Sequence, residues 1–145
     1  MEAKLTPPEI AGKLDVSKIR RFVEGEAFAR IRAAKQVLRE LDFITALPAS
    51  AVLAAQGNAR PQADSAAAQA RVLVQGIADI VLVFDDHIEL LDYKTDRVAA
   101  PQELTGRYAL QLKLYAAMVR RQFGLPVTEA VLYSFCLGQA VKVEL

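Results

Sequence analysis

Two apolar runs separated by a few turn-forming residues constrain the fold more than any other feature of this chain. The runs extend from Val72 to Phe84 and from Ile88 to Tyr93. Runs of this length that are rich in Val, Ile and Leu are typical of β-strands, and so short a connection joins them as an antiparallel hairpin. The residues at the turn are either Asp85-Asp86 or Asp86-His87. The sequence therefore predicts a sheet that contains this hairpin.

The region after the hairpin predicts a helix that crosses over the sheet. Residues Glu103 to Phe123 form a long amphipathic pattern that ends at Gly124, and strands are expected at Ala130–Phe135 and Ala140–Val143. A strand, a long helix and a further strand imply a crossover with parallel pairing, whereas the hairpin is antiparallel. We therefore expect an α/β fold, a mixed β-sheet flanked by helices, formed by residues 1–145 as a single domain.

The first half of the chain predicts several helices before and after one strand. Helix-start residues precede most of them, and glycine is expected to end two of them. The predicted elements are a helix from Thr6 to about Lys13, a helix capped by Asp15 and ended by Gly25, a helix over Glu26–Lys35, a strand over Gln36–Leu47, an Ala-rich helix capped by Ser50 and ended by Gly57, and a mobile connection over 58–70.

Charged residues interrupt the apolar hairpin at Asp79, Asp92 and Lys94. If Asp85-Asp86 forms the turn, Asp79 lies opposite Asp92; if the turn moves by one residue, Asp79 lies opposite Lys94. In both registers the three side chains lie on one face of the sheet, because side chains alternate along a strand. The alternative is that Asp79 ends a strand at the surface and Asp92 to Lys94 is a solvated edge.

Facing carboxylates in an apolar setting favour a cation. Directly opposed residues have Cβ atoms about 4.5–5.5 Å apart, so Asp79 and Asp92 repel one another, and one takes up a proton unless a cation intervenes. Oxygen ligands at this spacing suit Mg²⁺ or Mn²⁺. Lys94 adds a positive charge that orients water or stabilises charge on a phosphate. This combination fits phosphodiester hydrolysis.

The long helix carries polar residues on one face. Gln111 and Tyr115 are four residues apart, with Tyr108 one turn earlier, so the three share a face. This face either reaches a nucleic-acid strand or is part of an ordinary amphipathic pattern.

Composition limits the remaining possibilities. The net charge of +1, from 18 basic and 17 acidic side chains, excludes nucleic-acid binding by bulk charge alone. The chain has no Walker-type phosphate loop, membrane span or signal peptide, so a cytoplasmic protein that does not hydrolyse ATP is expected. Cys136 lies in an apolar run and is expected to be buried; one cysteine also excludes an iron–sulfur nuclease.

Three motifs in series resemble one nuclease family. They are residues 74–79 (Val-Gln-Gly-Ile-Ala-Asp), residues 91–96 (Leu-Asp-Tyr-Lys-Thr-Asp) and residues 108–115, which contain Gln111 and Tyr115. Their order and spacing are similar to the RecB-like branch of the PD-(D/E)xK nucleases, and in particular to the C-terminal nuclease domain of AddA-type helicase-nucleases. The resemblance extends from about Leu5 to the end of the chain.

The resemblance implies a role for each residue of the motifs. The expected metal ligands for Mg²⁺ or Mn²⁺ are Asp79, Asp92 and the backbone carbonyl of Tyr93, and Lys94 is expected to be catalytic. Glu40 resembles a glutamate of an upstream strand and is included in the catalytic set, and the Gln111/Tyr115 pair is expected beside the DNA.

The resemblance also implies a parent protein and partners. It suggests a domain of a helicase-nuclease that processes double-strand breaks, with the helicase part in the same chain and a second subunit of AddB type. The rival interpretation, a catalytically silent nuclease fold that binds DNA or a partner, would be supported by loss of an acid or the lysine, and all are present.

One departure from the family pattern is a missing histidine ligand. His87 lies at the turn and is expected to face solvent, so it does not replace that ligand. Either the chain begins after the helix that carries this histidine in the family, or the protein lacks the ligand.

Overall fold

The computed structural model describes residues 12–13, 15–58 and 65–145. The predicted helix from Thr6 to about Lys13 lies almost entirely outside the described residues. The described helices are α1 (Val16–Val23), α2 (Glu26–Ala33), α3 (Ala49–Ala55), α4 (Ala66–Gln69) and α5 (Pro101–Phe123). The described strands are β1 (Gln36–Pro48), β2 (Arg71–Val83), β3 (Ile88–Lys94), β4 (Val127–Ser134) and β5 (Gln139–Val143).

The strands form one mixed sheet in the order β1-β2-β3-β4-β5. The β3–β4 pair is parallel and is connected by α5, whereas the other neighbouring pairs are antiparallel. Phe84 donates its backbone N–H to the carbonyl of His87 at 2.9 Å, so Asp85 and Asp86 occupy the centre of the hairpin turn. Ile80 accordingly lies opposite Leu91, which confirms the first of the two predicted registers and the α/β fold class.

Apolar side chains cover both faces of the sheet. One cluster joins the sheet to α5, and the other joins it to α1 and α2 through Phe22 and the aromatic residues around it. Long helix α5 ends at Gly124, whose φ of 68° is the left-handed conformation that stops a helix. The crossover helix therefore holds one face of β3, and the short helices hold the other.

Two of the predicted helix boundaries are wrong in detail. Asp15 caps α1 as expected, because its side chain accepts a hydrogen bond from Ser17 N–H. Gly25, however, occupies the N-cap of α2 in an extended conformation instead of ending α1. Ser50 lies inside α3, and Pro48 precedes that helix without a side-chain cap. Strand β1 thus continues directly into α3, and no loop separates them.

The predicted mobile connection over 58–70 is only partly described. Residues 59–64 lie outside the described residues. Residues 66–69 form the short helix α4, because the Ser65 hydroxyl accepts a hydrogen bond from Ala68 N–H. The prediction missed this capped helical turn, since an Ala and Gln run has no apolar periodicity.

Cys136 is exposed, so the expected burial is wrong. The apolar run from Leu132 contains the end of β4 and a turn, and the strand ends at Ser134. Gly138 donates its N–H to the Ser134 carbonyl at 2.8 Å, which closes the turn that carries Cys136 out of the core.

Strands β1 and β2 change face together at one point. Leu38 and Val81 lie toward the β2–β3 turn and pack in the apolar cluster that joins the sheet to α5. Leu41 and Ala78 lie three residues away along each strand and pack in the same cluster, although strict alternation places them on the opposite face. The ladder pairs Arg39 with Ile80 and Leu41 with Ala78, and it skips the two residues between them. These two residues are Glu40 and Asp79. The predicted alternation along 37–44 therefore fails at Glu40.

A two-point ion pair fixes α2 to the buried strand β3. Arg30 donates from Nε to Glu89 Oε2 at 3.0 Å and from its other nitrogen to Oε1. Glu89 is 5% exposed, so this carboxylate depends on the arginine for compensation. Among the described residues, no helix is long and apolar enough to cross a membrane.

Candidate active site

Asp79 is held beside the end of β3 by a backbone hydrogen bond. Tyr93 N–H donates to Oδ2 of Asp79 at 2.8 Å. This bond replaces the ladder contact that β2 and β3 would otherwise make here, since the regular pairing of the two strands ends at Ile80 and Leu91. Asp79 is half-buried. The carboxylate is therefore fixed by the backbone that leads directly from Asp92 to Lys94.

Asp92 lies inside the protein and is paired with the lysine two residues further along its strand. Its residue exposure is 5%, and Lys94 Nζ lies 2.5 Å from its Oδ2. This contact is an ion pair and lacks directed geometry: among the described residues, Oδ2 of Asp92 receives no hydrogen bond of acceptable geometry. The Lys94 ammonium compensates the charge of this buried carboxylate, although the contact does not have the angles of a directed hydrogen bond.

Burial raises the pKa of Asp92 above the ordinary value of a carboxyl group, and the negative charge of Asp79 raises it further. The Lys94 ammonium acts in the opposite direction on this pKa. Asp79 is therefore close enough for its charge to affect the ionisation of Asp92. The structure adds what the sequence does not reveal: each acid already has a partner, Tyr93 N–H for Asp79 and Lys94 for Asp92.

Glu40 lies across the ladder from Asp79. Both residues fall in the same gap of the β1–β2 pairing, between Arg39–Ile80 and Leu41–Ala78. Glu40 is exposed and has a φ of 50°. A left-handed conformation in a residue other than glycine costs on the order of 1–3 kcal/mol, and such residues are found most often at functional sites. The structure therefore brings Glu40 beside the predicted acid.

Tyr115 does not face solvent, which changes the predicted role of its side chain. The ring is buried, packs edge-on against Phe43 with centroids 5.0 Å apart, and fits against Gly76, where an added Cβ would lie 2.8 Å from Cε1 of the tyrosine. Its hydroxyl accepts a hydrogen bond from Nε2 of Gln111 at 2.8 Å. Tyr115 is thus a core residue that holds Gln111, and only Gln111 is partly accessible.

Two further residues lie at the site: sequence reasoning placed Tyr108 on the same helix face as Gln111, with nucleic-acid contact as one of two alternatives, and gave Asp96 no role. Tyr108 places its ring under Lys94, with Nζ 4.0 Å from the ring centroid, and its hydroxyl donates to Oδ1 of Asp96 at 2.7 Å. The sequence signal for Tyr108 was its position one turn before Gln111. Asp96 was visible only as the last residue of the second motif.

The amino-acid sequence matches one known family over nearly its whole length. The sequence matches the PD-(D/E)XK nuclease superfamily over residues 3–143. The chain belongs to this superfamily. The nuclease fold, with the acids on neighbouring strands and the lysine beside them, is what the three sequence motifs predicted.

The relatives of this nuclease domain are much longer proteins. It is 33% identical, over 99% of its length, to an ATP-dependent helicase/nuclease subunit from Geobacillus kaustophilus, and it covers 12% of that protein. It is 35% identical to the protein of the same name from Pelotomaculum thermopropionicum, over 97% of the chain and 11% of the relative. A match to the Streptococcus pyogenes protein reaches 43% identity but covers 52% of the chain. The chain therefore spans about an eighth or less of these relatives.

His87 lies at the other end of the hairpin from the acids of this nuclease, as predicted. It does not face solvent freely, however, because its ring stacks on Phe84 with centroids 4.5 Å apart. Its ring nitrogens contact Asp86 at 2.6 Å and Glu89 at 3.3 Å. His87 is therefore half-buried and belongs to the ion-pair cluster under α2, so it is not a candidate ligand for the site.

The donor set of the nuclease fits a hard cation but does not complete its coordination. Asp79 and Asp92 supply carboxylate oxygens, one of them buried without a directed hydrogen bond. Within the described part of the chain, no group of three or more His, Cys, Asp or Glu side chains is placed to hold a metal. Two carboxylates, with a backbone carbonyl, suit Mg²⁺ or Mn²⁺, which keep several waters.

Proposed function

We propose that this chain is a metal-dependent deoxyribonuclease domain that hydrolyses phosphodiester bonds of DNA. The observation that carries the proposal is the convergence of Asp79, Asp92 and Lys94 at the end of β3, where a buried carboxylate oxygen lacks a directed donor. Carboxylates that hold a hard cation can activate water for phosphodiester hydrolysis, and a lysine beside them can stabilise the charge that develops on the phosphate. The helicase/nuclease names of the relatives support DNA as the substrate.

The proposed ligands of the cation are Asp79, Asp92 and the carbonyl of Tyr93. When bound, Mg²⁺ or Mn²⁺ supplies Lewis-acid chemistry to the phosphate and lowers the pKa of water. In the metal-free domain the Lys94 ammonium compensates Asp92. Asp79 keeps its geometry in both states, because the backbone N–H of Tyr93 holds it.

Lys94 acts on the reacting groups and is not a ligand. Its ammonium group has three donors and its side chain is only 13% exposed, so its interaction with a phosphate takes place with little water around it. It stabilises the negative charge that develops on the phosphate or orients the attacking water. Glu40, across the ladder from Asp79, is proposed to assist from the exposed side, and Gln111 is proposed to contact the DNA from α5.

We further propose that the domain is an exonuclease within a helicase-nuclease that acts in double-strand break repair. The length of the relatives supports a helicase part in the same parent chain, and a second subunit of AddB type is proposed as its partner. A histidine from elsewhere in the parent protein is proposed to complete the metal site, since no described side chain does so. Cleavage by the 145-residue chain alone is therefore expected to be weak.

The test is cleavage of end-labelled single-stranded and double-stranded DNA by the chain, with Mg²⁺, Mn²⁺ or EDTA. Activity is expected with either metal, and Asp92→Asn is expected to remove it. Asp85→Asn is the matched control, because Asp85 is an exposed carboxylate at the hairpin turn, paired with Lys35 at 2.6 Å. Activity that persists in EDTA, or that Asp85→Asn and Asp92→Asn reduce equally, would contradict the proposal.

The proposed histidine is tested by comparing the chain with the full parent protein. Calorimetric titration with Mn²⁺ should show weaker binding to the 145-residue chain, because water must fill the positions that the described residues leave open. Equal Mn²⁺ affinity and equal cleavage rates in the two proteins would show that no further ligand is needed.

A further inference from the structure

The ammonium group of Lys94 lies between two different partners. Nζ is 2.5 Å from Oδ2 of Asp92 and 4.0 Å from the centroid of the Tyr108 ring. Lysine has a flexible four-carbon stem with rotatable donors, so its position depends on what surrounds it. An aromatic face attracts the cation without accepting a directed hydrogen bond at a lone pair. Contact with the ring therefore leaves the N–H groups available to other acceptors.

The Tyr108 ring is itself held by the segment that carries the lysine. Its hydroxyl donates to Oδ1 of Asp96 at 2.7 Å, and Asp96 follows Lys94 by two residues. The same segment thus contacts the tyrosine on its face and at its hydroxyl. Asp96 is contacted in turn by Arg107, whose guanidinium lies 3.5 Å from the same Asp96 oxygen. These contacts fix the ring relative to the end of β3.

The beginning of α5 strengthens this arrangement. Glu103 accepts a hydrogen bond from Ala99 N–H at 3.0 Å and lies 3.7 Å from Arg107, so the loop after β3 is tied to the first turns of the helix. The two longer ion pairs are exposed and contribute little individually. The hydrogen bonds from Ala99 N–H to Glu103 and from the Tyr108 hydroxyl to Asp96 therefore hold the ring in its position.

We propose that Tyr108 is a positioning residue for Lys94, with the ring face as the supporting contact and Asp96 as the group that fixes the ring. The inference deepens the proposed function and rests on it, because it concerns the lysine assigned to the reaction. Without the ring, the ammonium is directed by Asp92 alone and samples positions away from the phosphate.

The first test uses the spectrum of Lys94 and is independent of cleavage. Protons held over an aromatic face resonate upfield, so the ε-CH₂ signal of Lys94, identified by its loss in Lys94→Ala, is expected upfield of the other lysines. Tyr108→Leu should return it to the common position, and Tyr108→Phe should keep it upfield. Lys142, whose exposed side chain pairs with Glu129 at 2.9 Å, provides an internal control that no Tyr108 variant should move.

The second test uses single-turnover cleavage in the presence of Mg²⁺. A cation–π contact contributes about 0.5–2 kcal/mol, so Tyr108→Leu should slow the chemical step by about 2- to 30-fold at unchanged DNA affinity. Tyr108→Phe should restore most of that rate, and Asp96→Asn, whose amide oxygen can still accept from the Tyr108 hydroxyl, should lose no more than Tyr108→Phe does. A variant that loses DNA affinity and rate together would indicate a structural role for Tyr108 and overturn the proposal.

The outcomes separate this inference from the proposed function. A Lys94 signal at the common position in the unsubstituted protein refutes the positioning role without any variant, even if Tyr108→Leu does not fold. Normal cleavage by Lys94→Ala refutes the assigned catalytic role, whereas the upfield signal would still establish the contact. Equal effects of Tyr108→Phe and Tyr108→Leu on signal and rate would exclude the ring face as the supporting contact.

Discussion

Gly76→Ala is expected to destabilise the domain through one buried contact. An added Cβ at this position would lie 2.8 Å from Cε1 and 2.9 Å from the hydroxyl of Tyr115, and 3.0 Å from Phe43 Cζ. Carbon atoms pack at about 3.5–4.0 Å, so the two rings must shift by several tenths of an ångström. The two rings pack edge-on against each other, so a shift of one displaces the other. The strain therefore falls on the core between β1, β2 and α5.

The change in the free energy of unfolding combines two contributions that destabilise the domain and one that offsets them. Overpacking costs about 1–3 kcal/mol, and weakening of the hydrogen bond from Gln111 to Tyr115 adds about 0.5–1.5 kcal/mol. Loss of glycine flexibility in the unfolded chain offsets about 0.4–1 kcal/mol. The free energy of unfolding should therefore fall by roughly 0.5–4 kcal/mol. Gly106→Ala is the matched control: its Cβ meets nothing within 4 Å on α5, and it should stabilise the helix by about 0.5–1 kcal/mol.

Urea unfolding in EDTA, followed by circular dichroism, measures both glycine variants without any metal contribution. The midpoint should decrease for Gly76→Ala and increase for Gly106→Ala. In a Tyr115→Leu background, Gly76→Ala should lose most of its cost, because the two closest contacted atoms are gone and Phe43 can move into the space left by the tyrosine ring. Equal stability of Gly76→Ala and the unsubstituted protein, or an undiminished cost in the Tyr115→Leu background, would refute this reasoning.

Three further predictions concern charged groups. Asp79→Ala should abolish metal-dependent cleavage and also lower the free energy of unfolding by about 1–3 kcal/mol, because Tyr93 N–H loses its acceptor; unchanged thermal stability in EDTA would contradict this. Lys94→Ala should bind Mn²⁺ in calorimetry but not turn over DNA, and near-normal cleavage would remove its assigned role. Glu89→Ala should destabilise the domain by about 1–3 kcal/mol, since it removes the hydrogen-bonded pair with Arg30, whose guanidinium is partly exposed and stays solvated; a urea midpoint close to that of the unsubstituted protein would contradict this.

The prediction for Asp79 differs from what the sequence alone suggests. From the sequence, two crowded carboxylates repel one another, so removing one should maintain or raise the stability of the metal-free domain. The structure gives each acid a favourable partner that the sequence does not reveal. For Asp79, loss of the hydrogen bond from Tyr93 N–H is expected to outweigh the repulsion from Asp92 that substitution would relieve.

The fold could be predicted from the sequence where the pattern is long and local. The hairpin, helix α5 and the parallel β3–β4 pair follow from apolar periodicity, a stop at Gly124 and the short turn at Asp85-Asp86. The same reasoning placed Asp79 and Asp92 opposite each other in one of its two registers. The hairpin and α5 depend on residues close together in sequence, and the parallel pairing follows from the helix that connects the two strands.

The missed features depend on contacts between distant parts of the chain. The burial of Tyr115 requires the space left by Gly76, which lies 39 positions earlier in the chain. The exposure of Cys136 depends on where β4 ends and the turn begins. The ring of Tyr108 meets Lys94 only when α5 folds back over β3. Apolar periodicity contains none of this information.

The change of face at Glu40 and Asp79 has a consequence for insertions and deletions in this domain. If Glu40 alone were deleted, β1 would alternate regularly, but its far half would fall out of step with β2 by one residue. If Asp79 were deleted as well, both strands would alternate regularly and remain paired. The two acids thus behave as one inserted residue in each strand. A β1–β2 pair without them would alternate regularly along its whole length. Related sequences should therefore tolerate an insertion or deletion here only when β1 and β2 change together. A one-residue break in the apolar alternation of a strand can then indicate such a carboxylate from the sequence.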